Sequence, residues 1–352
     1  MRAARDSWVN PALAVLLCAV TGTLFAWLRT PLPWLLGPLL AMAACNFAGA
    51  ALRSPPAGRE AGQVVIGTAL GLYFTPLVAR EVAAYWPLLI VAALFAILLG
   101  VFGGWTLSRI AGTDRTTAFF ASVPGGATEM TLQGEQLGAR PDRVALAQSL
   151  RILMVVLLVP SALTYSGVHG TDTYQPALVP LHWPALLLLL ALAGAAGLAL
   201  QRLRVPNAFM FGPLAVVIAL TASAVEFSLL PTGLSSFAQV FLGCALGARF
   251  ERQSLASAPR FVAGVVGSVL VVIVVSAGFG AVLAALSGVP WSTMVLALAP
   301  GGIAEMCITA KVLQLGVPLV TAAHVVRVLI LITGTGPSFR FVKRMIERLK
   351  SK

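Results

Sequence analysis

The stretch PGGATEM occupies residues 124–130, and PGGIAEM occupies residues 300–306. Each copy places a Pro-Gly-Gly triplet and a glutamate inside strongly apolar sequence. Proline removes a backbone donor and glycine is entropically costly in a helix, so each triplet predicts a helix break. The fold depends on what surrounds these two breaks, because an apolar solvent cannot satisfy freed backbone groups.

The composition around the breaks is typical of a polytopic membrane protein. The 352 residues are 59% hydrophobic and only 10% charged, with a mean hydropathy of +0.92, whereas soluble domains carry about 25% charged residues. Apolar runs such as 87–107, 184–200 and 261–286 are long enough to cross a bilayer core of ~30 Å. We therefore predict an all-α membrane protein without a soluble domain.

The termini and the cysteines fit this class. Arg2 and Arg5 precede an apolar run that begins at Pro11, and we expect a retained first helix rather than a cleaved signal peptide. The four cysteines lie in apolar segments without pairing or metal spacing, so we expect reduced thiols. The net charge is +12, and the basic tail at 338–352 is expected to lie against anionic lipid headgroups rather than nucleic acid.

The chain is an internal duplication, because residues of special backbone or polar type recur at a nearly constant offset of 175 or 176 positions. The predicted organisation is a first membrane repeat at 1–166, a connector at 167–183, a second membrane repeat at 184–337 and the basic tail. The matched pairs include Glu129 with Glu305, Arg151 with Arg327, Gln63 with Gln239, Gly67 with Gly243, Arg29 with Arg204, and Pro38 with Pro213.

Each repeat contains six apolar elements, and the fifth carries the Pro-Gly-Gly motif. In the first repeat the elements are predicted at 11–28, 33–52, 63–79, 87–108, 116–138 and 144–165. In the second repeat they are predicted at 184–201, 207–224, 235–249, 261–286, 292–314 and 317–335.

The distribution of the 24 basic residues favours an inverted arrangement of the two repeats. Arg151 and Arg327 lie within the sixth elements, and if all twelve elements cross the membrane, 12 of the other basic residues face inside and 10 outside. If each fifth element is a re-entrant hairpin, 19 face inside and three outside, as the positive-inside rule requires. The prediction is ten transmembrane helices and two re-entrant broken hairpins in two inverted repeats, with both termini cytoplasmic. Such repeats with matching breaks are typical of secondary transporters.

The duplicated PGG-x-x-EM motifs, the LR-x-P…GP segment and the Q-x-x-x-G-x-A-L-G segment resemble the AbrB family of duplicated bacterial membrane proteins. The resemblance covers nearly the whole chain. Members are often described as regulators of gene expression or as ammonia monooxygenases. The resemblance thus implies a bacterial membrane protein and leaves its activity open.

The candidate residues for binding a substrate or ion lie around the two breaks. An intramembrane carboxylate marks an ion or proton pathway by default, but each glutamate could instead form a structural ion pair with the arginine of its own repeat. The arginines would then be counter-ions; otherwise they could anchor an anionic substrate. His324 suits either a hydrogen-bonded packing role or a proton relay. The candidates are Pro124, Gly125, Gly126, Glu129, Gln133, Arg151, Pro300, Gly301, Gly302, Glu305, Thr309, His324 and Arg327.

The motifs argue against an enzyme. The three histidines are scattered without a Glu-x-x-His pair, so no redox metal site or other cofactor is expected. Neither a Gly-x-Ser-x-Gly elbow nor a phosphate-binding loop is present. The favoured function is an ion- or proton-coupled secondary transporter of the bacterial inner membrane, moving a small solute or ion. A membrane-embedded regulator is the alternative, and an ammonia monooxygenase fits least. A homo-oligomer is compatible with the sequence.

Overall fold

The computed structural model describes residues 2–168, 170, 179–225, 227–250 and 258–350, and within these ranges it describes the side chains of residues 10–335. Most of the predicted connector, including His169, lies outside the described residues. All secondary structure in the described ranges is helical, as predicted.

The helices follow one another through short connections. In chain order they are α1 (Arg2–Trp27), α2 (Pro33–Phe47), α3 (Gly58–Gly71), α4 (Pro76–Ala84), α5 (Trp86–Ala111), α6 (Arg115–Ser122), α7 (Ala127–Gln136), α8 (Pro141–Tyr165), α9 (Trp183–Arg202), α10 (Ala208–Ala222), α11 (Thr232–Gly247), α12 (Pro259–Ser287), α13 (Trp291–Leu298), α14 (Ile303–Leu313) and α15 (Val317–Lys350).

Several helices have the length and surface of membrane spans. Six described helices are long and apolar enough to cross a bilayer, and α3 with α4 would add a seventh as one bent span. Exposed tryptophans stand at helix ends, where interfacial aromatic residues concentrate: Trp27 ends α1, Trp86 begins α5 and Trp183 begins α9. The chain is therefore a multi-pass membrane protein, whereas the count of ten crossings stays a prediction.

The breaks occur where the sequence predicts them. Residues 123–126 separate α6 from α7, and residues 299–302 separate α13 from α14. Val123 and Ala299 each end the preceding helix in an extended conformation, with ψ of 127° and 134°. Each fifth element is thus two short helices around a Pro-Gly-Gly break.

The structure departs from the sequence-based elements most clearly at α3 and α4 and at the last helix. The predicted element 63–79 is two helices, because the chain bends by 90° between α3 and α4, and Pro76 begins the second. Lys311 lies within α14, as the predicted element 292–314 places it, and its partly buried side chain donates from Nζ to Ser235 Oγ at 3.4 Å. The last helix continues past 337 to Lys350, so the basic tail extends it.

The described residues form two compact units, and each contains elements of both repeats. The first unit lies within 1–84, 156–257 and 304–319, and the second lies within 85–155, 258–303 and 320–352. The repeats are therefore units of sequence, and the two compact units are assembled from parts of both.

The first unit has a symmetric packing order. Helix α2 packs on α1 and α11, α10 packs on α9 and α3, and α3 packs on α11. The packing order is therefore α1, α2, α11, α3, α10, α9. Helices at equal distances from the two ends of this order are counterparts in the two repeats: α1 and α9, α2 and α10, and α11 and α3. The third helix of each repeat thus packs against the second helix of the other.

Glycines at equivalent positions make these crossings close. A Cβ built on Gly67 would lie 3.0 Å from Met210 O, and a Cβ on Gly243 would lie 2.5 Å from Leu35 O. The backbone turns also correspond, because Arg29 and Arg204 both adopt left-handed conformations, with φ of 53° and 57°. Left-handed conformations are uncommon for non-glycine residues, so their recurrence indicates a shared local structure.

The second unit contains both breaks. Helix α5 packs on α12, and the short helices α6 and α13 pack on α5 and α12 respectively. A buried cluster that includes Phe120, Val123, Met130 and Leu331 surrounds the first break. This packing holds the interrupted chain inside the unit.

Candidate functional site

Buried side chains of α8 hold the backbone of the first break. Arg151 is 2% exposed, and its Nη1 and Nη2 donate to Val123 O at 2.7 Å and Gly125 O at 3.3 Å. One turn earlier, Gln148 Nε2 donates to Phe120 O at 2.7 Å and Val123 O at 3.0 Å. The carbonyls freed by the break therefore receive donors from one face of α8.

The second break is held in the same way by α15. Arg327 is 3% exposed, and its Nη1 and Nη2 each donate at 2.6 Å, to Ala299 O and Gly301 O respectively. His324 Nε2 lies 3.1 Å from Leu296 O, and because a carbonyl only accepts, the ring nitrogen donates. Ser276 Oγ adds a bond to Leu298 O at 2.7 Å.

The two sets of contacts are equivalent residue by residue. Val123 and Ala299, and Gly125 and Gly301, each differ by the 176 positions that separate Arg151 from Arg327. The duplication therefore preserves an arginine that bridges two carbonyls across a Pro-Gly-Gly break. A charged donor makes a stronger hydrogen bond than a neutral one, so both breaks have firmly held backbones.

The glutamates of the motifs lie at the beginnings of the helices that follow the breaks. Glu129 is the third residue of α7 and Glu305 the third residue of α14. The Glu129 carboxylate folds back over Gly126, where a built Cβ would overlap it. Negative charge in the first turn is favoured by the helix dipole, and a third-position glutamate can reach the start of its helix.

The ion-pair hypothesis finds no support at the first break. Asp142, near the start of α8, forms salt bridges with Arg140 and Arg143. Both bonded nitrogens of Arg151 donate to backbone carbonyls and not to Glu129. Arg151 thus forms no salt bridge with Glu129 among the described residues, and its roles as a counter-ion or as a substrate contact stay predictions.

The remaining predicted residues occupy positions around the same motifs. Gln133 Nε2 donates to Ile332 O at 3.3 Å, and Thr309 Oγ1 donates to Glu305 O at 2.8 Å within α14. Pro124, Pro300 and Gly301 are buried, whereas Gly125, Gly126 and Gly302 are partly exposed. Glu305 is 8% exposed. A Cβ built on Gly125 would lie 2.9 Å from the Met130 side chain, so a larger residue there requires that side chain to shift.

Hydroxyl groups in the apolar helices are not among the predicted site residues. Ser276 bonds a carbonyl beside the second break, and Ser122 and Ser268 line a small cavity with Arg151. Single serines in long apolar helices were the available signal, but periodicity does not show which ones face a break. No group of three or more potential metal ligands occurs among the described residues.

These features define the class as a polytopic, all-helical membrane protein with a matching helix break in each repeat. The family described as "Transition state regulatory protein AbrB" matches residues 34–343, and the chain belongs to it. The chain is 29% identical over 311 residues to "Uncharacterized protein YhjN" of Bacillus subtilis (strain 168), covering 83% of this chain and 80% of the relative. It is 26% identical over 322 residues to "Putative regulator AbrB" of Escherichia coli (strain K12), covering 90% and 92%.

Proposed function

We propose that the protein is a secondary transporter of the bacterial inner membrane that moves a small solute or ion, coupled to an ion or to protons. The observation that carries the proposal is the pair of equivalent broken helices, each held by a buried arginine. In secondary transporters, discontinuous helices at matching repeat positions form the substrate and ion sites, because their freed backbone groups and helix termini are polar.

The proposal includes an inverted topology. Each repeat would cross the membrane five times and return its fifth element to the side from which it entered. The charge count supports this arrangement, since it places 19 basic residues inside and three outside. Both termini would be cytoplasmic, with the basic tail near anionic lipid headgroups. Glu129 and Glu305 would serve as coupling sites, because an intramembrane carboxylate is costly without such a role.

The alternative of a membrane-embedded regulator is favoured by the name of the Escherichia coli relative, "Putative regulator AbrB". A regulator that only transmits a signal has no need of two equivalent breaks. An ammonia monooxygenase would need a redox metal, and the described residues contain no cluster of three metal ligands. Transport therefore explains the two equivalent breaks, which neither alternative requires.

A flux assay on purified protein in liposomes tests the proposal. Uptake of a panel of inorganic ions and small metabolites would be measured with and without sodium and proton gradients. The control is the double variant Gly125→Leu with Gly301→Leu, reconstituted at the same density. Uptake of at least one solute above the control liposomes is expected. Folded protein that moves no member of the panel under any gradient would contradict transport.

A further inference from the structure

A cavity in the first unit lies where the ends of several helices meet. Its lining comes from the ends of α3 and α10, from residues before α9 and α11, and from Lys311 of α14. The space inside it that water can occupy is about 50 Å³. An enclosed water needs roughly 10–15 Å³ on this measure, so there is room for about four water-sized groups. The cavity can therefore hold a carboxylate group together with the first carbon atoms of a short chain.

Among the described residues of the lining, Lys311 is the only charged one. Its side chain is partly buried, and in the described ranges its Nζ makes one hydrogen bond, to Ser235 Oγ at 3.4 Å. An ammonium group carries three donors, so two remain available. No carboxylate in the same ranges forms a salt bridge with it. Because a cation held away from water without an opposite charge is costly, an anion in the cavity would offset that cost.

The duplicated fold does not account for this lysine. The equivalent position of the first repeat, 176 residues earlier, is Glu135, an exposed residue of α7. The charge is therefore reversed between the repeats, whereas Arg151 and Arg327 are identical. The hairpin as such has no need of a cation at this position. What distinguishes Lys311 is that it lines the cavity.

The rest of the lining is mostly apolar and includes Leu72 and Val225. The Ser228 hydroxyl accepts a hydrogen bond from the His182 N–H at 2.9 Å and donates to Leu229 O at 3.2 Å, so it holds the wall together. An inorganic oxyanion needs donors for several oxygen atoms, and burying an oxygen without a donor is costly. One ammonium group beside hydrocarbon therefore matches a carboxylate on a short apolar chain better than it matches an oxyanion.

We propose that this cavity binds the carboxylate group of a short organic acid through the Lys311 ammonium, and that such an acid is the transported solute. The inference rests on the proposed function and deepens it by naming a substrate class. In the proposed topology, the connector before α9 and the loop between α10 and α11 both face outside. The acid would therefore enter this site from outside, where Lys311 is one of three expected basic residues.

Lysine labelling of the wild-type protein tests the site. The chain has four lysines, and three of them, Lys343, Lys350 and Lys352, lie in the basic tail as internal controls. Reductive methylation of the full-length protein in detergent would be followed at each lysine by mass spectrometry, while sodium propionate replaces sodium chloride at constant ionic strength. Propionate should slow the labelling of Lys311 saturably and leave the tail lysines unaffected, because a bound carboxylate covers the ammonium group and stabilises its charged form.

Three further compounds identify the class of ligand. Propionamide has the shape of propionate without its charge and should give no protection. Protection by sulfate equal to that by propionate would overturn the assignment of a carboxylate. Phosphatidylglycerol in mixed micelles tests a lipid headgroup, and protection by this lipid but not by propionate would overturn the proposal. Labelling of Lys311 that propionate does not change would overturn it as well.

A variant tests whether the charge of Lys311 carries the binding. Propionate should raise the thermal midpoint of the wild type saturably, because a ligand that binds only the folded state stabilises it. Lys311→Met keeps the length of the side chain without its charge and should weaken the affinity at least about tenfold. Arg80→Met, at an exposed basic residue predicted on the same side, is the matched control and should leave the affinity unchanged. Equal affinity in Lys311→Met and wild type would contradict the site, and the labelling result stands even if this variant does not fold.

Flux distinguishes this inference from the proposed function. Uptake of propionate into liposomes supports both. Protection of Lys311 by propionate without uptake of any solute would overturn transport, and with it the substrate assignment, and leave the binding site standing. Uptake restricted to cations or neutral solutes would overturn the substrate assignment and leave transport standing.

Discussion

At the residue scale, the determining feature is that side chains of α8 and α15 supply donors to carbonyls that the breaks expose. Gln148 and Arg151 do this for the first break, and His324 and Arg327 for the second. Buried backbone carbonyls need donors, and the Pro-Gly-Gly backbone cannot provide the usual helical ones. The polar residues in these apolar helices are therefore required by the motif on the neighbouring element.

Replacing Gln148 with methionine should destabilise the protein. The change keeps the length of a fully buried side chain and removes its donors to Phe120 O and Val123 O. A loss of about 1–3 kcal/mol in the free energy of unfolding is expected. Thermal unfolding in detergent measures it, with the exposed Gln136→Met of α7 as the control. An equal effect of the two changes would show that the buried bonds contribute little.

Glutamine at Glu129 should stop coupled transport with little loss of stability. Glu129 forms no ion pair with Arg151 in the described residues, so neutralising it strands no arginine. The expected stability change is that of a charge near a helix N-terminus, about 0.3–1 kcal/mol. Flux and the thermal midpoint would be compared with Glu135→Gln, an exposed position of the same helix. Coupled flux at the wild-type rate would exclude Glu129 as a coupling site.

At the element scale, glycines decide where helices can approach. Gly67 and Gly71 of α3 lie against α10, and their counterparts Gly243 and Gly247 of α11 lie against α2. In a membrane, close packing rather than the hydrophobic effect drives helix association, so small residues at a crossing contribute directly. These crossings build the first unit from both repeats.

Alanine at Gly243 should therefore be destabilising even though alanine favours helices. Its Cβ would lie 2.5 Å from Leu35 O, and a backbone atom cannot move away cheaply. We expect a loss of about 1–3 kcal/mol, the usual cost of overpacking. Gly233→Ala in the same helix is the matched control, because nothing lies within 4 Å of its built Cβ. The two variants would be compared by thermal unfolding. A Gly243→Ala protein as stable as the control would mean that α2 and α11 are not in close contact.

The Pro-Gly-Gly breaks lead to a second prediction for the elements. Gly125→Leu with Gly301→Leu should abolish transport while membrane insertion continues, because insertion depends on the long apolar helices. At Gly125 a built Cβ already lies 2.9 Å from the buried Met130 side chain, so leucine must displace that side chain beside the break. Membrane yield and flux would be measured in parallel, with Gly233→Ala as the control for a helical glycine elsewhere. Transport by the double variant would reduce the motifs to packing elements.

At the scale of the whole molecule, the two repeats contribute interleaved segments to both compact units. A duplicated sequence that exchanges elements in this way cannot be cut at its connector into two independent domains, because each unit would lose helices. The orientation of the second repeat is the property on which the transporter proposal most depends. It is also measurable without a substrate.

Cysteine labelling should place the two equivalent ends of the fifth elements on opposite sides of the membrane. Arg140 and Gln314 follow α7 and α14 and are both exposed, so a cysteine at either position is accessible. In a background without native cysteines, an impermeant maleimide added to intact cells should label Gln314→Cys, and Arg140→Cys only after lysis. Labelling of both in intact cells, or of neither, would contradict the inverted topology.

The sequence by itself determined the class, the duplication and the positions of the breaks. Hydrophobic runs and the scarcity of charge require a bilayer, and a constant offset of paired residues records a duplication. Pro-Gly-Gly interrupts a helix wherever it occurs, so both breaks could be placed from local chemistry alone. Family membership followed from the same motifs and is confirmed.

Only the tertiary structure decided the partners of the buried polar groups. Helical spacing places Arg151 on a face, but its partners are 26 and 28 positions away in the chain, and which element covers that face depends on packing. The sequence therefore suggested a carboxylate partner, since opposite charge is the commonest way to satisfy a buried cation. The fold supplies carbonyls instead, because the broken helix exposes acceptors beside α8. The packing of α3 and α11 against helices of the other repeat could not be predicted for the same reason. Their glycines indicate a close helix contact, but the sequence does not show which helix makes it.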